Sequence, residues 1–131
     1  MTIQSFAHVG MTVSSIDRSL AFYVDLLGLR LVDRRPGTQG DEVAFVDAGG
    51  CMLELIGPAT GALLAEDVAA GRAGLLHLTF KVDDVDKTFE TVRSAGGELV
   101  EAPRDAYNRA MAKRVAFCRD PDGILIEFLG N

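Results

Sequence analysis

From Phe6 the chain alternates. Phe6, His8, Gly10 and Thr12 take one side of an extended strand, and Ala7, Val9, Met11 and Val13 take the other, apolar side. At Ser14-Ser15 the period changes: either serine can cap a helix, and Ile16, Leu20, Tyr23 and Leu27 recur at helical spacing until Gly28 stops the run. Three short strand candidates follow, at about 29–35, 42–47 and 51–56, with Asp47-Ala48-Gly49-Gly50 as a turn between the last two. The same succession restarts at Leu75. A strand over 75–82 puts Leu75, His77, Thr79 and Lys81 on one face and Leu76, Leu78, Phe80 and Val82 on the core face. Asp83 or Asp84 then caps a helix marked by Val85, Phe89 and Val92, Gly96-Gly97 ends it, and strands follow at about 98–102, 113–119 and 124–129.

The two successions are copies of one another. His8 aligns with His77, Val13 with Val82, Asp17 with Asp86 and Gly28 with Gly97, all at a spacing of 69 residues. Val43-Ala44-Phe45 then matches Val115-Ala116-Phe117, and Gly50, Glu54 and Gly57 match Gly123, Glu127 and Gly130, so small loop insertions separate the halves. The expected architecture is α+β: one domain over 1–131 made of two βαβββ modules, about 3–57 and 75–131. A linker over about 58–74 joins them, with a helical turn expected around Ala62–Ala70.

Composition narrows the function. The 131 residues are 48% hydrophobic, enough for one real core. No apolar run approaches the roughly 20 residues needed to cross a bilayer, and MTIQSFAHVG lacks signal-peptide character, so no membrane partner and a cytoplasmic location are expected. A net charge of −6 offers no overall positive field for a phosphate backbone, so nucleic acid is not expected either. Cys51 and Cys118 each sit in an apolar run and read as buried thiols.

The chemistry lies in the matched polar residues. Glu54 and Glu127 each stand in a strand among Leu, Ile and Met, where an ionised carboxylate needs a compensating partner because its desolvation costs several kcal/mol. They occupy equivalent places beside the only two histidines of the chain. His8, Glu54, His77 and Glu127 are therefore expected to converge on one divalent metal ion. This mixed N/O set suits Ni, Zn, Co, Fe or Mn and leaves two octahedral positions for a bidentate substrate.

The segments HVGMTVSSIDRSLAFYVDLLGLRLV, MLELIG, HLTFKVDDVDKTFETVRSAGGELV and VAFCRDPDGILIEFLG resemble the vicinal oxygen chelate superfamily, which includes glyoxalase I, methylmalonyl-CoA epimerase, extradiol dioxygenases and antibiotic-resistance proteins. The resemblance spans nearly the whole chain. It implies paired βαβββ units forming a cupped mixed sheet around the metal, usually in a homodimer, with His8, Glu54, His77 and Glu127 at the ligand positions. Glu54 makes the set similar to that of bacterial glyoxalase I, with the epimerase close behind, because ring-cleaving and fosfomycin-resistance members use two His and one Glu.

What the resemblance implies is a metal-dependent isomerase, lyase or epimerase that stabilises an enediolate from a small oxygenated substrate. Glu127 is then the first choice as base and Glu54 the second. Arg104, Arg109 and Lys113 lie in a cation-rich segment suited to an anionic substrate, and Thr12 shares the first strand's face with His8. Phe6, Phe45, Met52 and Met111 are candidates for an apolar cavity wall. Two alternatives remain open: an Fe- or Mn-dependent extradiol-type dioxygenase, and a dimeric drug-binding resistance protein.

Overall fold

The computed structural model describes residues 2–131. Two compact units divide the chain between Leu63 and Leu64, inside the segment read as a linker. Each is a βαβββ module with its own four-stranded mixed sheet.

In the first module β1 (His8–Thr12) leads into α1 (Ile16–Leu20), then β2 (Arg30–Pro36), β3 (Glu42–Asp47) and β4 (Met52–Gly57), in sheet order β1-β4-β3-β2. Strand β1 runs parallel to β4, which a crossover helix allows, while the three later strands are antiparallel. The extended residue Ser15 caps α1 through its hydroxyl, which accepts from Arg18 N–H. Beyond Leu20 the helix widens into a π-helical stretch, Ala21–Leu26, where the Leu27 N–H reaches back to Phe22 O. Regular helical spacing over 16–27 is thus corrected. The cause lies in Phe22 and Tyr23, adjacent aromatics that are both buried and packed edge to face at 5.0 Å. Neighbours on an α-helix point about 100° apart, and a wider turn brings both rings toward the sheet.

The second module repeats the order with β5 (Leu78–Lys81), α2 (Val85–Ser94), β6 (Leu99–Asp105), β7 (Arg114–Arg119) and β8 (Leu125–Gly130), as β5-β8-β7-β6. Here Asp84 is the cap, accepting from Lys87 N–H, and the helix stays α throughout. Met11, Val13, Leu20, Val46, Leu53 and Leu55 fill the first core, and Phe89, Val92, Val115, Cys118, Ile126 and Phe128 the second. Met11 and Val13 come from the first strand's predicted core face and Leu20, Phe89 and Val92 from the predicted helix faces, whereas Ala7 of that strand face is exposed and Val9 only half-buried.

Three further expectations are corrected. Residues 62–70 form no helix: Leu63 and Leu64 are exposed there, and alanine propensity without a buried apolar stripe does not hold so short a helix. Strand β5 begins only at Leu78, so Leu76 is not in the core but 64% exposed. Cys118 is buried, as read, whereas Cys51 is only half-buried, and neither forms a disulfide. No helix among the described residues is long and apolar enough to cross a membrane.

Candidate metal half-sites

Strand register builds the same row of side chains in each module. On the first sheet Gly10 stands beside Glu54, Glu54 beside Phe45, and Phe45 beside Asp33. On the second, Thr79 stands beside Glu127, Glu127 beside Phe117, and Phe117 beside Glu101. Cross-strand neighbours share a face, so each row is a continuous strip. The histidine lies two residues before the row's first member, on the same face.

The four ligand candidates come together two by two. His8 Nε2 is 3.8 Å from Glu54 Oε1, and His77 Nδ1 is 3.9 Å from Glu127 Oε1. Each imidazole also meets a phenylalanine edge to face, His8 on Phe45 at 5.7 Å and His77 on Phe117 at 5.8 Å. The rings hold the imidazoles over the strip. The side chains of Glu54 and Glu127 are 26% and 16% exposed, shielded but open to a ligand. Among the described residues no group of three or more His, Cys, Asp or Glu side chains is gathered to hold a metal ion.

Thr79 makes the modules differ. Its hydroxyl donates to Glu127 Oε1 at 2.9 Å and lies 2.8 Å from His77 Nδ1. Gly10 occupies the matching place in the first module, and a Cβ there would meet Glu54 Oε1 at 3.5 Å, an ordinary contact. The strand alternation places Thr79 on the face of His77 without giving it a role, nothing in the pattern singles out Phe117, and Phe45 reads only as an apolar cavity wall.

Two of the four proposed substrate residues, Arg104 and Arg109, are engaged inside the second module. Arg104 binds the Glu101 carboxylate and the Asp105 carbonyl, stacks over the Tyr107 ring at 3.9 Å, and senses the charge of Glu127, so its pKa is raised, chiefly by Glu101. Arg109 pairs with Asp105 at 3.5 Å. Lys113 is exposed, and its backbone N–H donates to Gly130. Thr12 is exposed at the end of β1, beside Ile56. Of the expected cavity walls, Phe6 and Met111 are strongly exposed and line no core. A cleft of about 260 Å³ lined by Gln39, Asp41, Ile56, Pro58, Ala59 and Thr60 includes none of the four ligand candidates, and the chemistry rather than the cavity marks the site.

Buried Cys118 is no alternative nucleophile, because burial, with the nearby Asp120 charge, pushes its thiol up to about 12.

Comparison with known proteins agrees with the repeated fold. The chain is 29% identical to a probable lactoylglutathione lyase of Vibrio cholerae, over all of this chain and 94% of that one. It is 30% identical to the lactoylglutathione lyase of Neisseria meningitidis serogroup A, over 93% of this chain and 87% of that one. The crystal structure of SMU.1112c superposes with a TM-score of 0.78 at 29% identity, covering 98% of this chain and 99% of that one. A family model described as the Glyoxalase/Bleomycin resistance protein/Dioxygenase superfamily matches residues 5–128, which takes in both His–Glu pairs. The doubled βαβββ module is the fold of that superfamily, and this chain belongs to it.

Proposed function

We propose that the protein is a metal-dependent lyase or isomerase of the glyoxalase type, acting on a small oxygenated substrate. The observation that carries this reading is the recurrence of one imidazole–carboxylate pair, backed by one phenylalanine, at the same register position of both sheets. One divalent ion would take both pairs, His8 with Glu54 and His77 with Glu127, as its protein ligands. The donor set fits: two neutral imidazoles and two carboxylates suit Ni, Zn, Co, Fe or Mn. When bound, the ion supplies Lewis-acid stabilisation of negative charge on substrate oxygens.

The chain's own residues supply the proton chemistry. Glu127, the less exposed carboxylate, accepts the Thr79 hydroxyl through Oε1, which leaves Oε2 to take a proton from the carbon beside the substrate carbonyl and return it to the adjacent carbon. Glu54 is the alternative base. Phe45 and Phe117 would brace each imidazole through an edge-to-face contact. Similarity to lactoylglutathione lyases favours a thiohemiacetal as substrate, with Arg104, Arg109, Lys113 and Thr12 as candidate contacts for its anionic and polar ends.

A homodimer is part of the proposal. Ile3, Phe6, Leu75 and Leu76 are 91%, 67%, 84% and 64% exposed just before β1 and β5, and large apolar side chains so placed call for cover. Elemental analysis of the purified protein, light scattering, and assays on hemithioacetal, acyl-CoA and catechol substrates test the whole reading. Stoichiometric metal with hemithioacetal or acyl-CoA turnover is expected. Catechol cleavage with iron, retained in Glu54→Ala, would replace the proposal with a dioxygenase, and tight ligand binding without metal or turnover would replace it with a binding protein.

A further inference from the structure

We infer that Thr79 is a positioning residue that fixes the His77 tautomer and makes the second half-site the preorganised one, an inference that rests on the metal reading above. A threonine hydroxyl has one hydrogen to give. Here it goes to Glu127 Oε1, at 2.9 Å, because a carboxylate only accepts. The contact between Thr79 Oγ1 and His77 Nδ1, at 2.8 Å, therefore requires the imidazole to donate. The chain of bonds runs one way, from Nδ1–H to the hydroxyl and from the hydroxyl to the carboxylate.

Two consequences follow from that direction. The neutral His77 ring carries its proton on Nδ1 and presents the bare lone pair of Nε2, the nitrogen left for an ion. The same hydroxyl holds Glu127 by one oxygen and ties its rotamer to the ring's, so imidazole and carboxylate are set as a unit rather than one by one. The first module has no such link, since Gly10 has no side chain, and His8 meets Glu54 with Nε2 at 3.8 Å without a bridging hydroxyl. Thr79 thus splits two otherwise matching half-sites into a rigid one and an adaptable one.

Nitrogen-15 NMR of histidine-labelled apo protein reads the tautomer directly, at a pH above the imidazole range. There are two histidines, and His8→Gln separates their signals. The wild type is expected to show His77 protonated at Nδ1. Thr79→Val, which keeps the shape and removes the hydroxyl, is expected to turn it into a tautomer mixture, and Thr79→Ser to retain it. Zn2+ affinity, by competition with a chromophoric chelator, is expected to fall on the order of 10–100-fold in Thr79→Val and little in Thr79→Ser.

His77 protonated at Nε2 in the wild type, or an unchanged tautomer in Thr79→Val, overturns the inference without any reference to metal. So does equal Zn2+ affinity in the wild type and Thr79→Val. Failure of the wild type to bind Zn2+ while its His77 holds the Nδ1–H form removes the metal reading instead, and with it the task assigned to Thr79.

Discussion

The two modules share a ladder and differ in what hangs from it. In both, a parallel pair brings the first strand against the last, and the same glutamate and phenylalanine positions meet across the sheet. Module one spends its helix on two adjacent aromatics, Phe22 and Tyr23, and accepts a π-helical stretch to bury both. Module two has Thr91 and Val92 at the matching places. Its helix stays regular, with the Thr91 hydroxyl donating back to Lys87 O. The candidate ligand strip diverges the opposite way, for module two gains a hydroxyl bridge where module one has glycine. Duplication preserved register, which sets where side chains point, while helix packing and polar links drifted apart because each answers only to its own module.

The largest expected effect comes from removing one carboxylate at a time. Glu127→Gln keeps the side chain's shape and removes its basicity, so kcat is expected to fall by about 10²–10⁴-fold, the usual worth of general base catalysis. Glu54→Gln, on the side without a hydroxyl bridge, is expected to lose clearly less, since its amide oxygen still ligates. Steady-state kinetics at saturating metal reads both. Equal losses would erase the functional difference between modules, and a larger loss in Glu54→Gln would exchange the two roles.

Much of this was legible because strands write their faces into the sequence. Alternation around His8, Glu54, His77 and Glu127 places each on its strip, and the repeat matches His8 to His77 and Glu54 to Glu127. What escaped was whatever depends on a neighbour distant in sequence. Thr79 is visible as the i+2 companion of His77, but its importance arises only when the parallel register sets it beside Glu127. The π-helical stretch escaped because Ile16, Leu20, Tyr23 and Leu27 fit regular spacing by themselves, and the conflict enters only through Phe22. Leu76 matched the core parity of its strand, yet strand pairing starts two residues later, so the parity there has no sheet to refer to. The alanines of 62–70 favour a helix locally but offer it no surface to pack on.

Core substitutions give a second, smaller test of equivalence. Leu55 and Phe128 hold matching positions on β4 and β8, and each is essentially fully buried. Leu55→Ala is expected to cost about 2–5 kcal/mol and Phe128→Ala about 3–5, by lost transfer energy plus a cavity. Denaturant unfolding measures both. If the units unfold separately, each variant should move only the transition of its own module, and two probes should then disagree about the midpoint. A single coincident transition lowered by either variant would make the modules one cooperative structure despite their separate cores.

The smallest effect concerns how each helix is fastened to its sheet. Asp17 and Asp86 sit in the first helical turn of each module and each is bound by an arginine, but from different strands. Arg34 of β2 reaches Asp17 at 2.7 Å while also binding Glu42, and Arg114 of β7 grips Asp86 through Nε and Nη2, both at 2.8 Å. The bidentate hold lowers the Asp86 carboxyl below its ordinary 3.8. A depressed folded-state pKa contributes stability that is present above 3.8 and is lost as pH falls through the lower folded value. The gap in denaturant midpoint between wild type and Asp86→Asn should therefore be open at neutral pH and close in acid. Exposure keeps the gap small, and added salt should narrow it further, because mobile ions screen charges that water already reaches. A gap that stayed constant with pH would mean that Asp86 acts through the shape of the helix start rather than its charge, and in the second module helix and sheet would then be held by packing, while Arg34 still ties the helix of the first.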